Sequence, residues 1–348
     1  MKRRIMNLSL VVSVLALLCL VPSRVGATTP GTNGRIVFQA VTGNSIQIYT
    51  VRSNGRDLRQ ITHVNNGEAK LPDWSPNGLR IAFELDHTGN DGVCASIVLV
   101  NPDGSNLVEL LQPSPNICEG EPSFTPDGTR IVFERFNIDT GEDAVWSMKV
   151  DGSDRQRIIG PFPNGEDQTV FSSDPNVSPD GQTLSFVGWD GTTIGPSGVE
   201  AQALFTSSID GSNLFQLTPS TLDLATKQDW APDGRHLVVG TNAGFFHPGE
   251  SANIATIRPD GTHLHYLTHY QGGNVNAFAG SYSPNGRWIV FRFEDHGQFG
   301  LYKMHPDGTD VRVILGLSSF KPRNIDWGPR ARGDRGDDDD DDDEDNQR

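Results

Sequence analysis

A short phrase built on proline and glycine recurs along the chain and constrains its fold more than any other feature. Successive prolines of the phrase are 50, 53, 53, 52 and 45 residues apart. Proline, then Asp or Asn, then Gly suit successive positions of a tight turn. A repeat of this length predicts blades or solenoid turns. The copies are Ser75-Pro76-Asn77-Gly78, Thr125-Pro126-Asp127-Gly128, Ser178-Pro179-Asp180-Gly181, Ala231-Pro232-Asp233-Gly234, Ser283-Pro284-Asn285-Gly286 and a worn Gly328-Pro329.

Each period contains four strand patterns. A strand of alternating large apolar residues follows every intact phrase, as in Arg80-Ile81-Ala82-Phe83. A second turn of the Asp-Gly type, such as Pro102-Asp103-Gly104, lies between two more strands, and a fourth strand ends in the segment Pro72-Asp73-Trp74-Ser75. Four-stranded units repeated in this way predict an all-β propeller.

The two ends of the repeat region predict a closed ring. The last period stops at Trp327-Gly328-Pro329 without its next strand, and Asn33-Gly34-Arg35-Ile36-Val37-Phe38 supplies that strand near the other end. We therefore expect six four-stranded antiparallel blades, with the N-terminal strand completing the last one. Closure would leave only short, protected edges.

The combination of Trp-Ser-Pro-Asn-Gly, Arg-Ile-Ala-Phe, the Asp-Gly turn and a Gln-Leu-Thr exit strand resembles the TolB-type β-propeller repeat. The resemblance spans about Thr32 to Pro329, and it implies a six-bladed ring without the N-terminal α/β domain of TolB. The transport-complex role of TolB is therefore not carried over. Two units depart from the pattern, because Thr241 to Ala252 inserts a long loop and the last unit has lost its turn.

The first residues have the layout of a secretory signal peptide. Lys2-Arg3-Arg4 precedes an apolar run from Leu8 to Val21, and Val25-Gly26-Ala27 offers small residues for cleavage. The sequence predicts a signal peptide over residues 1–27, a propeller over 28–330, and secretion or release into the periplasm. The run is short for an uncleaved membrane span, so no stable membrane anchor is expected after cleavage.

Two cysteines remain in the exported chain, and we predict that Cys94 and Cys118 form a disulfide. Cys94 is placed just before the third strand of its blade, and Cys118 in the connection to the next blade. Both connections emerge on the face opposite the turn phrases. Two free thiols are the alternative.

The charge of the chain is strongly negative. The net charge is −16, and loss of Lys2, Arg3, Arg4 and Arg24 with the signal peptide makes it −20. This charge opposes binding to nucleic acid or anionic membranes. Residues 331–348 include the run Asp337 to Asp345, which predicts a disordered, solubilising acidic tail. Loose binding of Ca²⁺ or a basic partner is the alternative for this tail.

Motifs that carry chemistry are scarce. The sequence has no Gly-x-Ser-x-Gly, His-Glu-x-x-His or Gly-x-x-x-x-Gly-Lys segment. His263 and His265 are expected to share one face of a strand, with His269 in the next loop, but no third metal ligand is evident. The recurring turn aspartates and Trp74, Trp230 and Trp327 are interpreted as structural. No catalytic residue, metal or cofactor is predicted.

The loops that break the repeat are the candidate functional region. They are Pro161 to Asp174, Gly188 to Gln202, Thr241 to Ala252 and Gln271 to Ser281. They carry the candidate binding residues Phe162, Phe171, Trp189, Phe245, Phe246 and Phe278. Ordinary long connections with aromatics packed over the blade ends are the alternative.

The leading hypothesis is a monomeric, exported, non-enzymatic propeller that binds an envelope or extracellular protein or glycan through these loops. The second hypothesis is a polysaccharide lyase or hydrolase with a metal at the central channel, because some TolB-like rings resemble oligogalacturonate lyases.

Overall fold

Six four-stranded antiparallel sheets make up the described chain. A computed structural model describes residues 30–65, 67–87, 94–111, 114–160, 171–189, 202–222, 224–241 and 249–332, with the backbone alone at positions 171, 172, 189 and 226. Within these ranges the only helical element is a 3₁₀ turn at Ser220–Leu222. The predicted all-β propeller of six blades is therefore confirmed.

Each blade is a meander whose first strand lies innermost and contacts the first strands of both neighbouring blades. From the axis outward, blade 1 contains β24 (Arg323–Pro329), β1 (Asn33–Thr42), β2 (Ser45–Val51) and β3 (Arg59–Gln60). Blade 2 contains β4 (Glu68–Trp74), β5 (Ile81–Asp86), β6 (Ser96–Val100) and β7 (Val108–Glu109). Blade 3 contains β8 (Ile117–Phe124), β9 (Arg130–Asn137), β10 (Glu142–Lys149) and β11 (Gln156–Ile159).

The remaining blades follow the same order. Blade 4 contains β12 (Phe171–Val177), β13 (Thr183–Trp189), β14 (Ala203–Ser208) and β15 (Phe215–Gln216). Blade 5 contains β16 (Leu224–Trp230), β17 (Leu237–Thr241), β18 (Asn253–Ile257) and β19 (His265–Tyr266). Blade 6 contains β20 (Val275–Tyr282), β21 (Ile289–Asp295), β22 (Gln298–Met304) and β23 (Arg312–Ser318).

The two ends of the repeat region close the ring, as predicted. β1 pairs antiparallel with β24, and Ile36 lies opposite Trp327 while Val37 lies opposite Asp326. The indole Nε1 of Trp327 donates a hydrogen bond to the carbonyl oxygen of Gly34 at 3.2 Å. Blade 1 therefore holds strands from opposite ends of the described chain.

The repeated phrases form the turns expected of them. In the first phrase the amide of Gly78 donates to the carbonyl of Ser75 at 2.9 Å, and the amide of Leu79 donates to Oδ1 of Asn77 at 3.0 Å. Gly104 in the second type of turn has a φ of +83°, and a Cβ there would lie 2.7 Å from the carbonyl oxygen of Ile61 in the preceding blade. Glycine is thus required both by the turn and by the contact between blades.

The hydrophobic core is divided into six clusters, each lying between two adjacent blades. Trp74, Trp230 and Trp327 are almost fully buried, and each belongs to one of these clusters. Their assignment to packing between blades is confirmed. Every blade is stabilised by its neighbours, as in other repeat architectures.

A second set of contacts, which we call the axial belt, links the innermost strands. A side-chain oxygen of each innermost strand accepts a hydrogen bond from a backbone amide of the next one. The acceptor and donor pairs are Asp326 and Trp74, Asp73 and Phe124, Glu121 and Asp174, Asp174 and Gln228, Asp229 and Tyr282, and Ser281 and Trp327. Buried backbone groups at the axis thereby gain hydrogen-bond partners.

Three local predictions are wrong. Parts of all four segments expected to be loop lie on strands: residues 171–174 on β12, 188–189 on β13, 241 on β17 and 275–281 on β20, which pairs with β21. His263 is not on a strand, because it has a φ of +58° in the turn before β19. Cys118 is the second residue of β8 and not part of the connection before it.

Within the described ranges, no helix is long and apolar enough to span a bilayer.

Candidate functional site

The loop face is the side of the ring opposite the two repeated turns. It carries the loops between second and third strands and the connections between blades, including Gly43–Asn44 and residues 267–274. The repeat-breaking segments start or end on this face. Phe171 and Trp189 lie at the loop-face ends of β12 and β13, where their backbones pair with each other.

A cavity of about 540 Å³ opens on this face between blades 5, 6 and 1. We call it the basic cavity. Its described lining residues include four cations and two carboxylates, with a net charge of +2, within a chain of net charge −16. The charged lining residues are Lys227, Arg292, Lys321, Arg323, Glu250 and Glu294.

Arg292 is the most deeply buried of these cations. It is 9% exposed, and its guanidinium carbon lies 3.7 Å from the centre of the Phe278 ring on the paired strand. Glu294 Oε2 is 3.8 Å from one terminal nitrogen, and Nε is buried without a hydrogen-bond partner among the described residues. Burial, aided by Arg323, lowers the pKa of Arg292 to about 10 against the opposing effect of Glu294.

Lys321 and Arg323 extend the positive charge over the mouth of the cavity. Lys321 lies just before β24, and its Nζ is 4.2 Å from the centre of the Phe299 ring. Burial lowers the pKa of Lys321 to about 8, with further contributions from Arg323 and Arg292, while Glu294 opposes the change. The cations of this cavity therefore repel one another at close range.

Lys227 faces the axis, where it meets the carboxylates of the axial belt. Its Nζ is 3.8 Å from Oδ1 of Asp174. Burial acts to lower its pKa, but Asp174, Asp326 and other aspartates outweigh burial and raise it above its usual range. Burial, reinforced by Asp326, raises the pKa of Asp229 to about 7 despite Lys227. Lys227 therefore mainly compensates the negative charge of the aspartates at the axis.

The opposite side of the ring carries buried acids. Burial raises the pKa of Glu121 to about 8, and the neighbouring Asp174 adds to the effect. The pKa of Glu134 is also raised, by burial and by Glu121 and Asp143. Lys70 Nζ lies 3.2 Å from Glu84 Oε1, which partly compensates the negative charge there.

The predicted disulfide between Cys94 and Cys118 is present beside these acids. The two Cα atoms are 4.6 Å apart, and the bond joins the loop before β6 to β8. It therefore links blade 2 to blade 3 on the loop face.

The candidate binding residues are described only in part. Phe162, Phe245 and Phe246 lie outside the described residues, and only the backbone is described at Phe171 and Trp189. Phe278 lines the basic cavity, but it lies on β20, and Arg292 covers its ring, so it is not the loop aromatic that was expected.

The described histidines do not form a metal site. His263, His265 and His269 are all exposed, and across the described ranges no three His, Cys, Asp or Glu side chains are grouped to hold a metal ion. The turn aspartates act structurally, as in Asp127, whose Oδ1 accepts from the amide of Thr129 at 3.0 Å.

Arg292, Lys321 and Arg323 were not among the residues predicted from the sequence. A comparison of equivalent repeat positions could have found the first of them. The residue after the buried Phe or Val of each second strand is Gln39, Glu84, Glu134, Val187, Gly240 and Arg292. Blade 6 therefore carries a cation where the other five blades carry an acidic or neutral residue. This position lies in the half of the second strand that is nearer to the loop face.

Comparison of sequences finds distant relatives of the chain. No model of a known protein family matches the chain. An uncharacterized peptidase of Bacillus subtilis, YuxL, is 25% identical over 206 residues, which are 49% of this chain and 29% of the peptidase. The uncharacterized protein Atu1656 of Agrobacterium fabrum is 24% identical over 236 residues, or 65% of this chain and 68% of that protein. The chain thus spans less than a third of the first relative.

Solved propellers are similar in structure at low sequence identity. TolB from Acinetobacter baumannii has a TM-score of 0.64 at 17% identity, covering 85% of this chain and 67% of its own. A putative TolB from Agrobacterium tumefaciens has a TM-score of 0.55 at 15% identity, covering 86% and 99%. An oligogalacturonate lyase in complex with manganese has a TM-score of 0.53 at 14% identity, covering 80% and 73%. The chain has the six-bladed propeller fold of TolB-like proteins.

Proposed function

We propose that the chain is an exported, non-catalytic β-propeller that binds an envelope or extracellular protein or glycan through its loop face. The basic cavity is the observation that carries this proposal. Its wall includes Gln202 and Gly249, which belong to the repeat-breaking segments Gly188 to Gln202 and Thr241 to Ala252. A concave site beside long loops on a rigid scaffold is typical of binding sites.

Export is supported by two independent features. The N-terminal residues have the signal-peptide layout, and the disulfide between Cys94 and Cys118 suits an oxidising compartment. We propose that residues 1–27 are removed, that 28–330 form a monomeric propeller, and that 331–348 serve as a solubilising acidic tail.

Catalysis has less support. The alternative, a lyase or hydrolase with a metal at the channel, gains no observation from the described innermost strands. They place aspartates and Lys227 at the axis, around a void of about 10 Å³. The similarity covers only 29% of the length of YuxL, so a peptidase activity is not proposed.

Binding to arrays of defined glycans and peptides tests the proposal. The full chain, the double variant Trp189→Ala/Phe245→Ala and the control Phe215→Ala would be compared. Phe215 is an aromatic of the outermost strand of blade 4 and is 50% exposed, away from the loop face. We expect the double variant to lose about tenfold or more in affinity, with the control unchanged. Equal affinity of all three proteins for every bound compound would contradict a loop-face site.

A further inference from the structure

The basic cavity has a charge opposite to that of the molecule around it. Its described lining residues have a net charge of +2, or +1 without Lys227, which compensates the axial aspartates, in a chain of −16. The equivalent positions of blades 2 and 3 carry Glu84 and Glu134, where blade 6 carries Arg292. All six blades have a second strand at this position, whether its side chain is acidic, neutral or basic. The fold therefore does not require the positive charge of Arg292, which is particular to the cavity.

Arg292 is held in place before any ligand arrives. The Phe278 ring supports one side of the guanidinium, and the neighbouring strands bury the rest. A desolvated cation costs free energy unless an anion is close, yet its nearest carboxylate oxygen is 3.8 Å away. Its Nε has no acceptor among the described residues. The planar guanidinium matches a planar carboxylate through paired hydrogen bonds.

Lys321 and Arg323 place additional positive charge above Arg292. Both side chains line the cavity, and among the described residues Lys321 lies against the Phe299 ring and forms no ion pair with a carboxylate. Mutual repulsion among three cations would be relieved by one bound anion. Burial, followed by repulsion from the neighbouring cations, lowers the pKa values of both Lys321 and Arg292.

The size and remaining lining of the cavity limit the ligand. A volume of about 540 Å³ is in the range of sites for small molecules. Leu224, Ala279 and Ile325 add apolar surface, and Asn276 adds an amide. A ligand with a charged group and a compact, partly apolar body fits this combination.

We propose that the basic cavity binds a small organic carboxylate of sugar-acid size, with Arg292 contacting the carboxylate and Lys321 and Arg323 completing the charge. This inference rests on the proposed function and specifies the ligand chemistry of the same site.

Matched sugars that differ in one carboxylate provide the test. Calorimetric titration of the full chain would use galacturonate against galactose, glucuronate against glucose, citrate as a carboxylate without a sugar ring, and glucose 6-phosphate as a phosphoryl anion. We expect the uronates to bind and the neutral sugars not to bind. Tighter binding of glucose 6-phosphate than of any carboxylate would overturn the assignment, as would equal binding of acid and neutral sugars.

Variants test the position of the site. Arg292→Gln and Lys321→Met should each weaken uronate binding by about tenfold, because each removes a charge-assisted contact. Arg235→Gln makes the same charge change in an exposed turn on the opposite face and should leave affinity unchanged. Equal effects of Arg292→Gln and Arg235→Gln would overturn the proposal. Circular dichroism of each variant would check that the ring is folded.

The pH dependence supplies a second measurement. Arg292, Arg323 and Glu294 are the charged groups that act on Lys321. Uronate affinity should be full at about pH 6 and should decrease through pH 8 as Lys321 loses its proton. Affinity that is constant from about pH 6 to about pH 9, where Arg292 keeps its proton, would contradict a role for Lys321.

The two proposals can fail separately. If no carboxylate binds while an array compound binds and is lost in Trp189→Ala/Phe245→Ala, the carboxylate inference is wrong and the loop-face function stands.

Discussion

Single residues at the axis combine a structural role with an electrostatic cost. Glu121 has a φ of +51° at a bulge in β8, and its side chain accepts the backbone amide of Asp174 in the next blade. Glu121 is partly buried, and its carboxyl lies beside Asp174 and near Glu84. The hydrogen bond links two blades, whereas ionisation of the carboxyl opposes the folded state.

Replacement of Glu121 by Gln is predicted to flatten the pH dependence of stability. The folded pKa is raised from 4.5 to about 8, so the stabilising contribution is full below about pH 4.5 and is lost as pH rises through 8. Glutamine keeps a carbonyl oxygen for the Asp174 amide but cannot ionise. From pH 5 to 8, wild type should lose about 3 to 4 kcal/mol more unfolding free energy than the variant. Urea denaturation at both pH values checks this, and parallel losses would contradict it.

Individual turn residues were predictable from the sequence, but the charged site was not. Gly78 and Asp127 lie at turn positions that favour glycine and aspartate for local reasons, so the neighbouring sequence is sufficient to predict them. Arg292 and Lys321 come together with residues of blade 5 only through the ring, since they are on β21 and before β24. Their proximity depends on tertiary structure, and only the unusual sign at position 292 was available beforehand.

At the scale of elements, ring closure depends on close packing around β24. A Cβ added to Gly328 would lie 2.2 Å from Cγ of Trp74 in blade 2. The indole therefore packs directly against the backbone of blade 1. Trp74 belongs, with Val37 and Ile48, to the hydrophobic cluster between these blades.

Gly328→Ala is predicted to destabilise the ring. The added methyl group would displace the Trp74 indole from its cluster, which should lower the unfolding free energy by about 2 kcal/mol. Gly316→Ala is the matched control, because no atom lies within 4 Å of a Cβ built on that glycine of β23. Thermal unfolding of both variants measures the difference. Equal thermal midpoints of the two variants would show that β24 can shift without a loss of stability.

Strand prediction succeeded where alternation was clear and failed where glycine and alanine obscured it. β5 and β9 have strong apolar alternation around Phe83 and Phe133. The segment that became β20, Val275–Tyr282, contains small residues and follows Gly272 and Gly273, so it was predicted as loop. Pairing along β21 overrides this weak local preference.

At the scale of the whole molecule, the disulfide and the ring resist opening in different places. The ring closes within blade 1, where β1 pairs with β24. The disulfide between Cys94 and Cys118 instead connects blades 2 and 3. The covalent link therefore reinforces an interface on another part of the ring.

Loss of the disulfide is predicted to lower the unfolding free energy by about 3 kcal/mol, because the 24-residue separation between the cysteines restricts the unfolded chain. Urea denaturation of Cys94→Ala/Cys118→Ala and of reduced wild type should give matching losses relative to oxidised wild type. An oxidised protein no more stable than the variant would contradict a stabilising role.

Export predicts a defined mature end. Protein recovered from the periplasm or medium should begin at Thr28 and have the mass expected after loss of residues 1–27. Intact-mass and N-terminal peptide measurements check this, with Ala27→Arg as the variant expected to impair cleavage. Retention of Lys2 to Arg4 in the exported protein would contradict the cleaved signal.

The pairing of β1 with β24 also sets the order of events during biosynthesis. The inner edge of β1 has no partner until residues 323–329 have been made and delivered, about 290 positions later in the chain. Such a non-local contact is slow to form. If the chain is exported as proposed, it can therefore remain unclosed during translocation until β24 emerges. A product truncated before β24 would leave the inner edge of β1 unpaired at the centre of the molecule.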